Sequence, residues 1–329
     1  MARSLASLSL DADNLWAYQM THGDPGWEQY STYLDELIAV VLPELASRDL
    51  TITFFVVGQD AARPENEAAI GAIAAAGHEV GNHSFRHQPW LHRYTVEELH
   101  RELARTEEAL EAVTGHRPVG FRGPGYSLSP DVVRVLIDRE YRYDCSTLPT
   151  VIGPLARRYY FRSAKLTADQ REERSYLFGS ARDGLRRLKP YLWELGDDHL
   201  LEIPVTTMPL TRVPVHLSYV LYLASMSPAL AHQYFANAMR LCRLLGIEPS
   251  ILLHPLDFLG ADDVEGLRFF PGMGMEGRTK RRTVLGCLDE LARQFEVVSL
   301  RRHAELIRRR NDLPMIAAST SAPRIKEAR

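Results

Sequence analysis

The sequence has few cysteines and no excess of either charge. Its 329 residues include three cysteines, Cys145, Cys242 and Cys287, too few and too far apart for a disulfide framework or a CxxC metal site. We therefore expect reduced thiols. The 39 basic and 42 acidic residues give a formal net charge of -3, so charge indicates no nucleic acid and no other strongly anionic partner.

Long hydrophobic runs are also missing. The first ten residues, MARSLASLSL, contain no apolar stretch of signal-peptide length, which favours a cytoplasmic protein. The most apolar region, 213–226, contains a proline and a histidine and is shorter than the roughly 20 residues that a spanning helix needs. We expect a buried helix or a homo-oligomer interface there. Peripheral contact with a lipid chain or the inner membrane face remains open.

The sequence does contain a regular alternation of β-rich runs and helix-like segments. The predicted strands are 5–10, 51–57, 78–82, 118–121, 141–145, 200–205, 250–253 and 295–300, and the clearest predicted helices are 30–47, 65–76, 95–113 and 130–139. Repeated strand–helix–strand units predict an α/β fold with a parallel sheet, and about eight strands allow closure into a barrel.

Two stretches and the tail interrupt this regularity. We expect one barrel domain over residues 1–310, with insertions at about 148–198 and 209–249 that cover or extend one face. The tail, residues 311–329, is rich in proline, serine and alanine, so we expect it to be poorly ordered.

The segment SLSLDADNLW, residues 7–16, contains two aspartates separated by one alanine. In an extended chain Asp11 and Asp13 point the same way. Their mutual repulsion is tolerable beside a bound cation. A solvated strand end or a helix cap is the simpler reading of this short motif alone.

The segment GNHSFRHQPW holds His83 and His87 directly after a predicted strand. In a helical turn, this spacing places both rings on one side, about 6 Å apart at Cβ. Two surface histidines would show the same spacing. With Asp13 they form a two-histidine, one-carboxylate set, which leaves coordination positions open as a catalytic zinc site requires.

Two further segments place polar side chains at predicted strand ends. In GFRGPGYSLSP, Arg122 enters a Gly-Pro-Gly turn, where it could pair with an aspartate while backbone N–H groups face a developing oxyanion. In SILLHPLDF, His254 ends an apolar run and is placed to act as an acid, although a single histidine there is often structural. Parallel barrels build their sites at this edge, so the candidates converge.

The ordered set DxD, HSxxH, RGPGY and LxH resembles the NodB-homology polysaccharide deacetylases, carbohydrate esterase family 4, over roughly residues 7–300. The resemblance implies a distorted (β/α) barrel of seven to eight parallel strands and metal-dependent N-deacetylation of an amino sugar. By position the resemblance implies that Asp11 is the catalytic base and that Arg122 holds it. It implies that Asp13, His83 and His87 are the metal ligands. It also implies that the Tyr126 N–H donates to the oxyanion and that His254 is the catalytic acid.

The sequence departs from the commoner family pattern at three places. DADN replaces adjacent aspartates followed by glycine, a variant similar to the branch with cytoplasmic deacetylases, a lipid-sugar deformylase and cyclic amide hydrolases. Gly125 precedes Tyr126, so the oxyanion donor is either residue. The partner of His254 is Asp144 or Asp257, and Trp90 is a further candidate for substrate contact.

We therefore predict removal of an N-acetyl or N-formyl group from an amino sugar, either small or linked to a nucleotide or lipid. The metal is zinc in the first instance, and the same ligands accept cobalt, nickel or iron. A cyclic imide or ureide hydrolase of the same superfamily is the alternative enzyme. An inactive metal-containing sugar-binding module is the alternative of another class.

Overall fold

The computed structural model describes residues 3–174, 181–270, 272–310 and 312–318. Its strands are β1 Leu5–Asp11, β2 Thr53–Val56, β3 Glu79–Asn82, β4 Gly120–Phe121, β5 Tyr143–Asp144, β6 Tyr191–Leu195, β7 Asp198–Glu202, β8 Ser250–Leu253, β9 Glu296–Val298 and β10 Met315–Ala317. All eight predicted strands are present: β8 has the predicted bounds, β1 is one residue longer, and the others are shortened or shifted by a few residues.

The helices lie mainly between the strands. They are α1 Leu15–His22, α2 Leu34–Ala46, α3 Gly58–Ala61, α4 Glu67–Ala75, α5 Val96–Thr114, α6 Pro130–Asp138, α7 Gly153–Ser163, α8 Ala168–Glu173, α9 Leu217–Met226, α10 Pro228–Leu244, α11 Pro255–Phe258, α12 Gly277–Gln294 and α13 Leu300–Arg308. The capping box that begins α5 joins Thr95 and Glu98, as the sequence predicts.

Seven parallel strands form the barrel, in the order β8-β1-β2-β3-β4-β5-β7. The Thr206 N–H, just after β7, donates a 2.9 Å hydrogen bond to the Ser250 carbonyl at the start of β8. This contact brings the two outer strands of the series together. The predicted (β/α) barrel of seven to eight parallel strands is confirmed.

The first strand explains the alternation of serine and leucine in the sequence. Leu8 and Leu10 are fully buried against the surrounding helices, whereas Ser9 and Asp11 hydrogen-bond to the Arg122 guanidinium. A period of two therefore separates an apolar outer face from a polar inner face. The barrel interior is lined in part by polar groups, and Asp11 is the last of them on β1.

The two irregular stretches contain regular elements of their own. Residues 148–198 contain α7 and α8, and also β6, which pairs antiparallel with β7 at the edge of the sheet. Residues 209–249 form the two-helix crossover from β7 to β8, so they occupy the ordinary connecting position of a parallel barrel rather than an added layer.

The predicted disorder of the tail is wrong for its first part. Met315–Ala317 forms β10, which pairs in parallel with the exposed edge of β6. The reason is that β6, which was not predicted, offers unpaired backbone groups that a following segment can satisfy. Residues 311 and 319–329 lie outside the described residues.

The apolar region around α9 is partly buried. Leu217, Val220 and Leu221 are covered, while Tyr222 and Met226 are 58% and 76% exposed. In the described part of the chain, no helix has both the length and the apolar character required to cross a membrane. The three cysteines are buried and unpaired.

Candidate active site

The barrel gathers the candidate residues at the carboxyl ends of its strands. Asp11 ends β1, His83 follows β3, Arg122 follows β4 and His254 follows β8. Parallel strands end at the same edge, so side chains that are up to 243 residues apart in sequence meet there. The convergence predicted from the four motifs is observed.

Asp13, His83 and His87 form the centre of the site. Asp13 Oδ1 lies 3.2 Å from His83 Nε2 and 2.9 Å from His87 Nε2, and all three residues are buried. Their nearest ligand atoms lie within 4.8 Å of one another, the one such set of three metal-binding side chains among the described residues. Two ligands of a tetrahedral zinc ion are expected to be about 3.3 Å apart.

The hydrogen bonding around these residues supports a cation. Asp13 Oδ1 and both ring nitrogens of His87 are buried and have no hydrogen-bond partner among the described residues, despite their short separations. Buried polar atoms without partners are costly in a folded protein. A divalent metal ion would satisfy the facing oxygen and nitrogen atoms together, so the donor set fits the group that the family resemblance implies.

The two histidines reach this arrangement without a helix. Residues 83–87 form a loop in which Ser84 and His87 have φ values of 61° and 52°. The helical-turn geometry expected from their spacing is therefore wrong. The loop is fixed by its own hydrogen bonds: the Ser84 N–H donates to Asn82 Oδ1 at 2.7 Å, and the His87 N–H donates to Ser84 Oγ at 3.1 Å.

Backbone carbonyls and side chains behind the ligands hold them in place. His83 Nδ1 is 2.7 Å from the Arg122 carbonyl oxygen, which fixes the ring and turns Nε2 toward Asp13. The Tyr33 hydroxyl donates to the Asp13 carbonyl at 2.5 Å. Asn14 caps α1 and donates to the buried Asp60 carboxylate. Asn14, the residue after Asp13, thus anchors the segment that carries this ligand.

Opposite charges within the cluster shift the pKa values of Asp13 and His83. Burial alone would raise the pKa of Asp13, but His87 and His83 outweigh it and lower that pKa well below its ordinary value. Burial would likewise lower the pKa of His83, and Asp11 and Asp13 raise it. A carboxylate that stays ionised beside two imidazoles is a ligand for a metal cation.

Asp11 is held next to this centre by Arg122. Arg122 Nη1 donates to Asp11 Oδ1 at 2.7 Å and to Ser9 Oγ at 2.9 Å, and Nε donates to the Cys145 carbonyl. Asp11 Oδ2 lies 3.9 Å from His83 Nε2. One oxygen of Asp11 is therefore fixed by the guanidinium, and the other faces the metal ligands.

The loop after Arg122 decides which backbone amide can face an oxyanion. The Tyr126 N–H donates to the Gly123 carbonyl at 2.9 Å, within a 3-10 turn. In this conformation the Tyr126 amide is already engaged, which leaves Gly125 as the candidate. Gly125 has φ 56°, and a Cβ there would lie 2.9 Å from Pro89, so the turn requires glycine.

Asp144 anchors that loop and does not reach His254. Its Oδ1 accepts from Ser146 Oγ at 2.5 Å, and Ser146 Oγ in turn accepts from the Gly123 N–H at 2.7 Å. Asp144 lies opposite Glu202 in the β5–β7 register. Burial raises the pKa of both carboxyl groups, well above the ordinary value for Glu202.

Asp257 is the acidic neighbour of His254. Asp257 Oδ2 accepts from the His254 backbone N–H at 2.8 Å, and Oδ1 accepts from Ser218 Oγ at 2.7 Å. Ser218 Oγ lies 3.4 Å from His254 Nδ1. The ring is therefore linked to Asp257 through Ser218, a residue that the sequence motifs did not indicate.

Trp90 lies beside the ligand loop but outside the central cluster. It is 8% exposed, and the Arg174 guanidinium is 5.1 Å from its ring centroid. With Arg86, Arg101 and Arg105 it lines a cavity of about 840 Å³ between that loop and α5. None of the metal ligands lines this cavity, so the structure places Trp90 on a neighbouring surface.

Two more polar side chains belong to the site and carry no motif. His216 lies just before α9, with its ring centroid 5.7 Å from that of His254. Tyr18 on α1 is buried, and its hydroxyl interacts electrostatically with Asp13, Asp257 and Asp11. The sequence does not indicate these two residues as site residues, because both lie in segments whose pattern predicts only an ordinary helix start. Only their positions in the folded chain do so.

Comparison with known proteins supports the assignment of the central segment. Residues 24–143 match the sequence model of the polysaccharide deacetylase family. The matched segment is therefore similar to the polysaccharide deacetylases over about a third of this chain. This region holds the His83 and Arg122 motifs, while Asp11, Asp13 and His254 lie outside it.

Two curated relatives match parts of this chain. An uncharacterised protein, YlxY of Bacillus subtilis strain 168, is 28% identical over 117 residues, which is 36% of each chain. A peptidoglycan-N-acetylglucosamine deacetylase of Bacillus cereus is 32% identical over 89 residues, 27% of this chain and 31% of the relative. The chain thus spans about a third of the length of these relatives.

Solved structures extend the likeness to the whole fold. A Mycobacterium smegmatis protein assigned to the polysaccharide deacetylases has a TM-score of 0.63 and 18% identity, with 99% of this chain and 96% of that one covered. The PuuE allantoinase has a TM-score of 0.61 and 16% identity, with 94% and 92% covered. At these identities the comparison establishes the barrel fold.

Proposed function

We propose that this protein is a metal-dependent amide hydrolase that removes an N-acetyl or N-formyl group from an amino sugar. The observation that carries the proposal is the convergence of Asp13, His83 and His87 beside an Arg122-held Asp11. A base and a metal-binding set, side by side and buried at the catalytic edge of a barrel, are suited to hydrolysis. Binding alone would not need them together.

Each residue of the set has a distinct role in this proposal. Asp13, His83 and His87 hold the metal, which when bound supplies a Lewis acid for the amide carbonyl and lowers the pKa of a water. Asp11 accepts the proton of the attacking water through the oxygen that Arg122 leaves free. Arg122 holds Asp11 in its orientation through the hydrogen bond from Nη1 to Oδ1.

The remaining residues act on the departing amine and on the carbonyl oxygen. His254, at the end of β8, donates a proton to the departing amine, with Ser218 and Asp257 orienting the ring. The Gly125 amide, at the tip of the loop after Arg122, stabilises negative charge on the carbonyl oxygen. Asp144 supports this loop through Ser146.

The proposed substrate class rests on the relatives. The Bacillus cereus relative is named for an N-acetylglucosamine unit of peptidoglycan, which supports an N-acetylated amino sugar here. A nucleotide- or lipid-linked sugar fits a cytoplasmic enzyme, which remains a prediction from the sequence. The exposed Tyr222 and Met226 on α9 would be available to a lipid chain or the inner membrane face. Zinc is the proposed metal, because two nitrogens and one carboxylate oxygen suit it.

The deciding experiment measures acetate and formate release by the purified protein after loading with Zn²⁺, Co²⁺, Ni²⁺ or Fe²⁺. The substrates are nucleotide-linked, polyprenyl-linked and oligomeric N-acylated amino sugars. We expect release from at least one class and none after chelation. Opening of a cyclic imide or ureide without acetate or formate release would favour the alternative enzyme. Sugar binding without any hydrolysis would favour the inactive module.

A further inference from the structure

His216 is a buried polar residue beside the proposed acid, with no role in the four motifs. Its side chain is covered, with 8% of the residue exposed, and its Nδ1 has no hydrogen-bond partner among the described residues. The ring packs edge-on against Tyr219 at 4.6 Å and lies 5.7 Å from the His254 ring, centroid to centroid. A buried nitrogen normally has a hydrogen-bond partner, and at this position a substrate could supply the missing one.

The segment before α9 positions His216 and Ser218 together. His216 is the N-cap of α9, with extended backbone angles of −65° and 154°. Two residues later, Ser218 contacts Asp257 and His254. The crossover from β7 to β8 therefore contributes two neighbouring side chains to the site, one tied to the acid and one unpaired.

The ring of His216 is uncharged. Burial lowers its pKa well below the ordinary value, and electrostatic interactions with His254 and Arg122 lower it further. A neutral imidazole has one N–H donor and one nitrogen acceptor. It therefore suits a hydroxyl or amide group, which can both donate and accept, better than an ionised group.

Tyr18 provides a second uncharged group near the same residues. Its hydroxyl is buried and has no hydrogen-bond partner in the described chain, and it interacts electrostatically with Asp13 and Asp257. Arg122 donates to Asp11, Ser9 and the Cys145 carbonyl through Nη1 and Nε, and its Nη2 has no hydrogen-bond partner among the described residues.

We propose that His216 is a substrate-positioning residue that hydrogen-bonds a hydroxyl or amide group of an amino sugar next to the scissile amide. This inference rests on the proposed function and adds a specificity residue to it. Because His216 adjoins His254, the group it holds belongs to the part of the substrate that carries the leaving nitrogen.

The test compares His216→Phe with His216→Asn in the metal-loaded protein. Phenylalanine keeps a ring against Tyr219 and removes both nitrogens, whereas asparagine restores a donor and an acceptor. Two probes are used: triacetylchitotriose, which has sugar hydroxyls, and 4-methylumbelliferyl acetate, which has none. His100→Phe on α5, where His100 faces Asp138 at 3.6 Å, is the matched control.

We expect His216→Phe to lower the ratio of kcat/KM for triacetylchitotriose to kcat/KM for the ester by about tenfold or more, as for one lost hydrogen bond in a buried site. His216→Asn should recover most of this ratio, and His100→Phe should not alter it. A structural role would lower both rates alike, and an unchanged ratio in His216→Phe overturns the assignment of His216 alone.

A binding measurement separates this inference from the proposed function. Titration calorimetry of triacetylchitotriose into the metal-loaded Asp11→Asn protein should detect binding, weakened by the added His216→Phe substitution. Equal affinity with and without that substitution counts against His216. If the Asp11→Asn protein binds neither triacetylchitotriose nor a nucleotide-linked or polyprenyl-linked N-acetyl amino sugar, the proposed substrate class is wrong, and the role of His216 fails with it.

Discussion

The two ends of the barrel bury similar side chains in different ways. At the amino end, Glu79 accepts hydrogen bonds from the Thr53 hydroxyl, the Tyr143 hydroxyl and the Arg301 N–H at 2.6, 2.9 and 2.8 Å. Both ring nitrogens of the buried His303 also have partners. At the carboxyl end, Asp13 Oδ1 and both nitrogens of His87 have none among the described residues.

This difference separates groups that stabilise the fold from groups kept for a ligand. A buried carboxylate with three donors stabilises the structure that supplies them. A buried carboxylate and imidazole that face each other without partners are a cost, which a bound cation would offset. The carboxylates and imidazoles compared here are alike in burial and residue type, so the unpaired atoms of Asp13 and His87 mark the end that can hold a cation.

The largest expected effect is that of Asp13→Ala. This substitution removes the only carboxylate of the ligand set, so we expect loss of bound metal and a fall in turnover below detection. Metal content by mass spectrometry and amide hydrolysis of the loaded protein measure both. Retention of a stoichiometric metal by the variant would show that these three residues are not its site.

Asp11→Asn should separate metal binding from catalysis. Asparagine keeps an oxygen for Arg122 but cannot accept a proton, so we expect unchanged metal content and a fall in kcat of about 10²–10⁴-fold, the usual contribution of a general base. Metal analysis and kcat on the same preparation are the measurement. Wild-type turnover in this variant would assign the base to another residue.

Glu79→Gln tests the amino end of the barrel. The amide nitrogen of glutamine cannot accept the hydrogen bonds that the second carboxylate oxygen receives, so we expect a loss of about 2 kcal/mol in the free energy of unfolding. Metal content should remain at the wild-type level. Urea denaturation and metal analysis check both. Loss of metal without loss of stability would show that Glu79 serves the metal site rather than the stability of the fold.

The smallest effect is expected for Glu248→Gln, and it depends on pH. Burial alone would raise the pKa of Glu248, but hydrogen bonds from His303 and Arg310 lower it to about 2. A lowered carboxyl pKa stabilises the protein above the ordinary value of 4.5, and this stabilisation disappears as the pH falls through 2.

We therefore expect the wild type to exceed Glu248→Gln in stability at pH 7 by about 1 kcal/mol or less, because Arg310 is partly exposed. The gap should narrow between pH 4.5 and pH 2. Urea denaturation at pH 7, 5 and 3 measures it. A gap that stays constant over this range would show that the ionisation of Glu248 does not contribute.

The sequence alone determined the barrel and most of its central residues. Alternation of serine and leucine in β1 predicts a strand with a polar inner face, because successive side chains point to opposite sides. Asp11, Asp13, His83, Arg122 and His254 each stand at a strand end, and parallel strands bring such ends to one edge. These are consequences of local periodicity and order, which a sequence records directly.

Only the tertiary structure decided how the site is completed. The spacing of His83 and His87 suggested a helix, but hydrogen bonds accepted by the Asn82 and Ser84 side chains hold a loop instead. Asp257 rather than Asp144 accompanies His254, and His216 and Ser218 reach it from α9. Likewise, β10 forms because β6 offers it an edge. Such contacts join residues far apart in the chain, and no local pattern encodes them, because each depends on where another element lies.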